Sequence, residues 1–576
     1  MSGDKVEAVE AQINAPVSRN KLEALEAQIN ALQQELRDLK GKVNKTEQTA
    51  QKAYAANPPP PKAAPPAPPT AVAKMTPSNR PSVCAIEGIP EVWTKMGTPY
   101  IDNLNCIAIT SRLHVDVGGY AYHPNTGPLT VPAGIPFTVP QDLDSGINAR
   151  RARIGVIGTF MADWVYSLIY DMGGSSDGFS SSTIGCAGAT GCRIALLPGG
   201  ITSGIQTAYL SYQGIKGVAI EGGYSNTFFS LDQPTGTNDI MFLERASAQV
   251  IASFAAGSYR SNFGARAYGD WYWAGAYVTG PISGAIHSAT GSVRGPTTAG
   301  DAGLVPPDGM TEQLGGYARG VVHFGDPKQY SIHLGGDVEE LFKPPFDWVT
   351  GAQSLSLADR PELRIDPTQI VGTNIQGGPG YTGALSGVGA TNSIQNVSHA
   401  IVYSVEAAGN WGPLYVQGEY FWFDIDRRLF PVQPTTTTGT IVPTTVTGPT
   451  LHFSGGYIEA SWALTGETRT YNAAAGAYNN IIPAHPWAWK SYDWGAWEIA
   501  GRYSEVDLND RLGFADGASG GKQTIYTAGL NWYVNRNIRF MLNYLHGTID
   551  KQASPIDFHD TGAKFDAVAM RTQIYF

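Results

Sequence analysis

Asn148 to Met172 reads NARRARIGVIGTFMADWVYSLIYDM, two runs of about ten residues that alternate in polarity around a short turn at Phe160 to Ala162. In Ala149 to Gly158, Arg151, Arg153 and Gly155 share one face, while Ala152, Ile154 and Val156 share the other. That is the two-residue period of a strand. The final strand behaves alike, with Val568, Met570, Ile574 and Phe576 on one side and Arg571 and Gln573 opposite. A strand of this length with one apolar and one polar face suits a wall between lipid and water.

The composition agrees. Only 15% of residues are charged, 11% are aromatic and 68 are glycine. Soluble domains average about 25% charged, so something other than Lys and Glu covers this surface. Mean hydropathy is nevertheless −0.16, and no window approaches the ~18 apolar residues of a spanning helix. The formal charge of −10 and the lack of clustered cations exclude nucleic acid as a partner.

From Cys106 onward sixteen alternating segments can be counted: 107–121, 149–160, 162–172, 205–214, 216–224, 260–268, 270–280, 314–325, 328–337, 399–408, 411–423, 450–462, 493–505, 522–533, 537–547 and 565–576. Short and long connections alternate between them, the rhythm of periplasmic turns and external loops. One connection, Ala463 to Asp493, is long where a short turn is due, and it reads as an inward fold or a further hairpin. Trp164, Tyr166, Tyr170, Trp271, Trp273, Phe421, Phe423, Trp487 and Trp489 are expected in interfacial girdles. The fold expected is all-β, a sixteen-stranded antiparallel transmembrane β-barrel over 107–576, preceded by an α-helical coiled coil. A soluble sandwich would have shorter strands.

Ahead of the barrel, Leu22, Leu25, Ile29, Leu32, Leu36, Leu39 and Val43 step 3, 4, 3, 4 through three heptads. A coiled coil over 21–46 follows, its seam from Leu22 to Val43 about 33 Å long. Residues 1–20, interrupted by Pro16, are frayed or separate. The Pro/Ala-rich linker 47–83 includes NPPPPKAAPPAPP (57–69), a stiff spacer of roughly 40 Å. Four cysteines in two close pairs, Cys84 with Cys106 and Cys186 with Cys192, suit disulfides in an oxidising compartment. The first closes a lead-in over 84–106. Met1 to Ala15 is polar and alternates in charge, unlike a secretory leader, which the expected location requires to have been removed.

Catalytic motifs fail on context. GSSDG (174–178) formally fits a nucleophile elbow but lies in a Gly/Ser loop rather than between strand and helix. Gly521-Lys522 lacks the rest of a phosphate loop. No enzyme activity and no cofactor are expected. A Ca²⁺ ion at acidic external-loop residues such as Asp337, Glu339 and Glu340 is weighed against solvated loop charge, the simpler reading.

The 148–172 stretch, with its double arginine, short turn and aromatic strand, resembles the second and third strands of the phosphate-selective porin O and P family. Phe229 to Arg245 (FSLDQPTGTNDIMFLER) and the run Ser258 to Gly280 are similar to that family's third loop and its return to the wall. LTGETRTY (464–471), GAWEIAGRYS (495–504) and RTQIYF (571–576) are similar to its last four strands. Together these cover most of 148–576. The segment Cys84 to Tyr120 instead resembles porins of alphaproteobacterial type. The family resemblance implies a trimeric, water-filled pore in the Gram-negative outer membrane, surrounded by lipid and lipopolysaccharide, with the third loop as constriction.

Members selective for phosphate carry an arginine ladder and a lysine cluster around that loop. Here Arg245, Arg260 and Arg266 stand with Asp232, Asp239 and Glu244, and no lysine occurs between Lys216 and Lys328. Those six residues are the expected constriction, with weak or mixed charge selectivity. By alternation Arg151, Arg153, Glu498, Arg502 and Arg539 face the lumen, whereas Arg150 falls on the opposite face from Arg151. The expected function is passive diffusion of small hydrophilic solutes or ions. The alternative is a structural anchor whose periplasmic coiled coil reaches peptidoglycan or another periplasmic partner.

Overall fold

The computed structural model describes Gln34, Arg37 and residues 106–125, 143–173, 204–282, 314–375, 393–431 and 446–576, apart from 162, 255–258, 327–328, 345, 348–351, 354, 367, 491 and 515. Gln34 and Arg37 are helical. The seam residues, the proline-rich linker, Cys84, Cys186 and Cys192 lie outside the described residues, and with them both cysteine pairings.

Sixteen strands close into one antiparallel barrel. They are β1 Cys106–Pro124, β2 Gly146–Phe160, β3 Trp164–Asp171, β4 Gly204–Tyr212, β5 Val218–Asn226, β6 Tyr259–Tyr268, β7 Tyr272–Ile282 and β8 Leu314–Asp326, followed by β9 Tyr330–Lys343, β10 Ser393–Trp411, β11 Leu414–Pro431, β12 Val446–Ala463, β13 Ala496–Asp510, β14 Ala518–Tyr533, β15 Ile538–Asp550 and β16 Ala563–Tyr575. Each pairs with its neighbour in sequence. β1 and β16 complete the ring from Arg112↔Tyr575 to Pro124↔Ala563. Closure leaves the wall no free edge, as hydrocarbon demands. The strands match the expected sixteen in order, and most of those after β7 run longer, β10 spanning 393–411 instead of 399–408. The ladder simply continues beyond the apolar band.

Alternation holds along the wall. In β15, Met541, Asn543 and Leu545 are buried while Leu542, Tyr544 and His546 are exposed. Leu168, Leu210, Phe263, Val278, Ile332, Val405, Ile458, Leu542 and Val568 all present apolar side chains outward. Two sequence readings need correction. Between β1 and β2 the register passes from His114↔Arg151 to Asp116↔Asn148, so Ala149 and Arg150 together oppose Val115. This bulge brings Arg150 and Arg151 to the same side, and Arg150 bonds inside the barrel. Trp273, Phe421 and Phe423 are not girdle residues either, since all three are buried inside.

They are inside because the lumen has an apolar core of its own. Phe229, Ala248, Ile251 and Phe254 of the connection 227–258, which includes a short helix Ser247–Ala252, pack with Leu355, Leu357, Val371 and Ile375 against inward residues of β10 to β13. A second cluster joins Leu243, Leu363 and Ile370 to Met541, Leu545 and Phe565. Leu355–Asp359 and Val371–Ile375 form an antiparallel hairpin within the connection from β9 to β10. Wall strands therefore meet lipid outside and folded loop inside. Val568→Arg sets a guanidinium against lipid and is expected to lower stability by about 2–4 kcal/mol, falling toward zero if the site is near an interface. Urea unfolding in lipid vesicles measures it.

Candidate functional site: the lumen and its three inward segments

Connection 227–258 crosses the lumen and is bonded on both sides. Near β9 and β11, the Ser230 backbone N–H donates to Asp337 at 2.9 Å and that of Leu231 donates to Glu419 at 2.5 Å. Across the barrel, Arg539 donates to the carbonyl of Ile240, Asn531 to that of Met241, Arg571 to that of Leu243 and Arg502 to that of Glu244. A loop buried at this depth has to satisfy its backbone, and these wall side chains do so. His114 Nε2 and the Asn238 amide oxygen, 3.0 Å apart, add a contact from β1.

Glu244 occupies a nest of guanidiniums. Arg150 contacts it through Nε at 2.8 Å and Nη2 at 3.0 Å, Arg571 lies at 2.7 Å, Arg151 at 3.7 Å and Arg364 at 3.9 Å. Burial opposes its ionisation, yet Arg150, Arg151 and Arg571 hold its carboxyl well below the usual carboxylate range. Asp232 and Asp239 on the same loop go the other way, raised by burial despite nearby arginines.

The other expected residues are placed as follows. Arg245 staples its own loop, pairing with Asp232 at 3.1 Å and donating to the carbonyls of Asp232, Gln233 and Thr235. Arg260 donates to the carbonyls of Ser253 and Phe254. Arg266 pairs with Glu221 and lies over the Phe228 ring. Arg260 and Arg266 thus do not meet the three loop carboxylates. Arg153 pairs with Asp171 at 2.7 Å and donates to the Tyr259 hydroxyl at 3.1 Å. Glu498 and Arg502 share β13 but not a bond: Arg502 pairs with Glu362 at 2.6 Å, and Glu498 with Arg469 at 2.8 Å. Asp337, Glu339 and Glu340 are strand residues on alternating faces of β9, not a loop cluster.

The long connection 464–495 turns inward from the end of the barrel that carries the short turns. Arg319 donates to the carbonyls of Ala475 and Gly476, and the Trp273 indole N–H donates to that of Ala474. The Tyr471 ring stacks on His323 with centroids 3.7 Å apart. Its tip meets the third loop, where the Asn480 backbone N–H donates to Asp239 at 3.1 Å and its side-chain amide donates to the Asn238 carbonyl. The length of this connection is visible in the sequence, whereas its anchors Arg319 and Arg469 are not. Arg319 is an inward wall residue whose carbonyl partners come from this connection, and Arg469 lies on the connection and reaches Glu498 and the Asp239 carbonyl.

Half-buried Arg112, on β1, donates to the Thr237 hydroxyl. Among the described residues no carboxylate lies within ion-pair distance of it, while the Asp239 carboxylate is close enough to act on its charge. Several other lumen arginines stand against acids, as Arg319 does with Glu406 at 3.0 Å and Asp337 at 3.5 Å.

Arg469→Met leaves Glu498 buried and without its cation. The expected loss is about 3–5 kcal/mol, most of it recovered when Glu498→Gln is added. Unfolding of the single and double variants measures that coupling.

A family model, phosphate-selective porin O and P, matches residues 136–576. An uncharacterized protein of Caulobacter vibrioides is 24% identical over 95% of this chain and 90% of its own length. Porin O of Pseudomonas aeruginosa is 22% identical over 70% of this chain and 76% of its own length. Among solved structures, the anion-selective porin from Comamonas acidovorans aligns with a TM-score of 0.39 and 12% identity, covering 82% of this chain and all (100%) of that one.

Proposed function

This chain belongs to the phosphate-selective porin O and P family, an outer-membrane porin and not an enzyme, and from that premise we propose that it passes small hydrophilic solutes by passive diffusion past a constriction set by its third loop. The observation carrying this reading is the docking of residues 230–247 onto β9 and β11 on one side and onto β13 to β16 and β1 on the other. Any solute must pass between that loop and the wall left to it. Arg153 stands over the Tyr259 ring there and donates to its hydroxyl. The protomers assemble as a homotrimer, which aligns three N-terminal seams in the periplasm.

Selectivity is weak because most of the charges are paired where they stand. A ring of unpaired cations would lower the barrier for anions, but Arg571 has Asp116, Arg153 has Asp171 and Arg245 has Asp232, while Arg150 and Arg151 share Glu244. Arg112 and the second guanidinium at Glu244 leave a modest excess of positive charge. In a KCl gradient across a planar bilayer the protein is expected to give ohmic steps with a chloride-to-potassium permeability ratio slightly above unity. Glu244→Gln uncovers one positive charge in a site of low dielectric and is expected to raise that ratio several-fold. A strongly cation-selective wild type overturns the reading, as does an unchanged ratio in the variant.

The anchor reading has one observation in its favour, the three segments that fill the lumen from both ends. It requires a closed barrel and attachment through residues 1–75. Absence of conductance steps, with envelope attachment lost on truncating 1–75, supports the anchor; steps with unchanged attachment discard it.

A further inference from the structure

Outside the barrel, each of the last four external hairpins carries one cross-strand pair of a base and a carboxylate. His399 and Glu340 link β10 to β9 at 2.6 Å, and His452 and Asp424 link β12 to β11 at 2.7 Å. Lys522 and Glu505 link β14 to β13 at 2.9 Å, and His546 and Asp566 link β15 to β16 at 2.8 Å. All are partly exposed on the outward face. On β9, β11, β13 and β15 the paired residue stands eight to ten residues beyond the strand's periplasmic start. With a rise near 3.4 Å and a tilt near 40°, that is roughly 20–26 Å along the membrane normal. The pairs therefore form a belt at the outer edge of an apolar band about 25 Å tall.

Below this belt the outer wall holds a groove of about 510 Å³. Its floor is a row of directly paired residues, Ala460, Gly501 and Ala528. Ile458, Tyr503 and Tyr526 stand in the next row as a rim, and the groove runs up to His546 at the belt. A Cβ added at Gly501 would meet nothing within 4 Å. The lining is almost wholly apolar, and it faces hydrocarbon.

We propose that this groove and belt together bind one lipid of the outer leaflet, a phosphorylated glycolipid of the lipopolysaccharide class. One acyl chain would lie along Ala460, Gly501 and Ala528. The headgroup meets the belt, where Lys522 and His546 donate to phosphate oxygens and Glu505 and Asp566 accept from sugar hydroxyls. A donor and an acceptor side by side complement a headgroup bearing both groups, whereas a phospholipid without sugar leaves the carboxylates facing phosphate alone. The inference needs the outer-membrane wall but not conduction, so the two stand or fall separately.

The test uses full-length protein, refolded in detergent free of lipid, then incubated with purified lipopolysaccharide, phosphatidylglycerol or phosphatidylcholine. Native mass spectrometry reads the bound lipid per chain. Wild type is expected to retain lipopolysaccharide about tenfold better than either phospholipid. Gly501→Phe fills the groove and is expected to lower retention about tenfold with single-channel conductance unchanged. Lys522→Gln with His546→Gln is expected to erase the preference among lipids while leaving weak binding. Heat-modifiable gel mobility verifies that each variant is folded. Equal retention by wild type and Gly501→Phe overturns the groove, and equal retention of lipopolysaccharide and phosphatidylglycerol by wild type overturns the headgroup assignment.

Discussion

Hydrocarbon offers no hydrogen-bond partner, so every backbone group of the wall must be satisfied within the sheet. The pairing of β1 with β16 meets that demand by closing the ring. Closure imposes strict two-sidedness, and two-sidedness forces each strand's polar residues inward. There they would stand in water if the barrel were empty. Instead three connections fold in and meet them, and the wall's arginines become donors to loop carbonyls and partners of loop acids.

This arrangement turns a feature associated with anion selectivity into scaffolding. Arg571 bonds Asp116, Glu244 and the Leu243 carbonyl at once, tying β16, β1 and the third loop at one point. Buried pairs of this kind contribute little net stability against apolar substitutes but are costly to break. They also fix one loop position among many, which a passage of defined width requires. Glu244 is central to this design because one carboxylate gathers several guanidiniums while anchoring the loop.

Much of the wall was legible. Val568, Met570, Arg571 and Gln573 gave their faces away by parity, and the alternation of short and long connections marked the two ends. Parity failed where geometry broke it: the bulge at Ala149 and Arg150 has no local signal in a run of consecutive polar residues. It also failed for Phe421 and Phe423, because an apolar inward face looks like a lipid-facing one until the loop that covers it is known. The lumen network was the least legible part, since its bonds join residues far apart in sequence, such as Glu244 and Arg571. Residue types and spacing carry no record of such partners.

The third loop is a bonded part of the barrel interior rather than a surface loop. Hydrogen exchange of its amides tests that most directly, since the Ser230, Leu231 and Ser247 N–H groups donate to buried carboxylates of Asp337, Glu419 and Glu362. In the folded protein these three amides should exchange as slowly as those of the wall strands. Exchange as fast as that of a solvated loop would contradict the account.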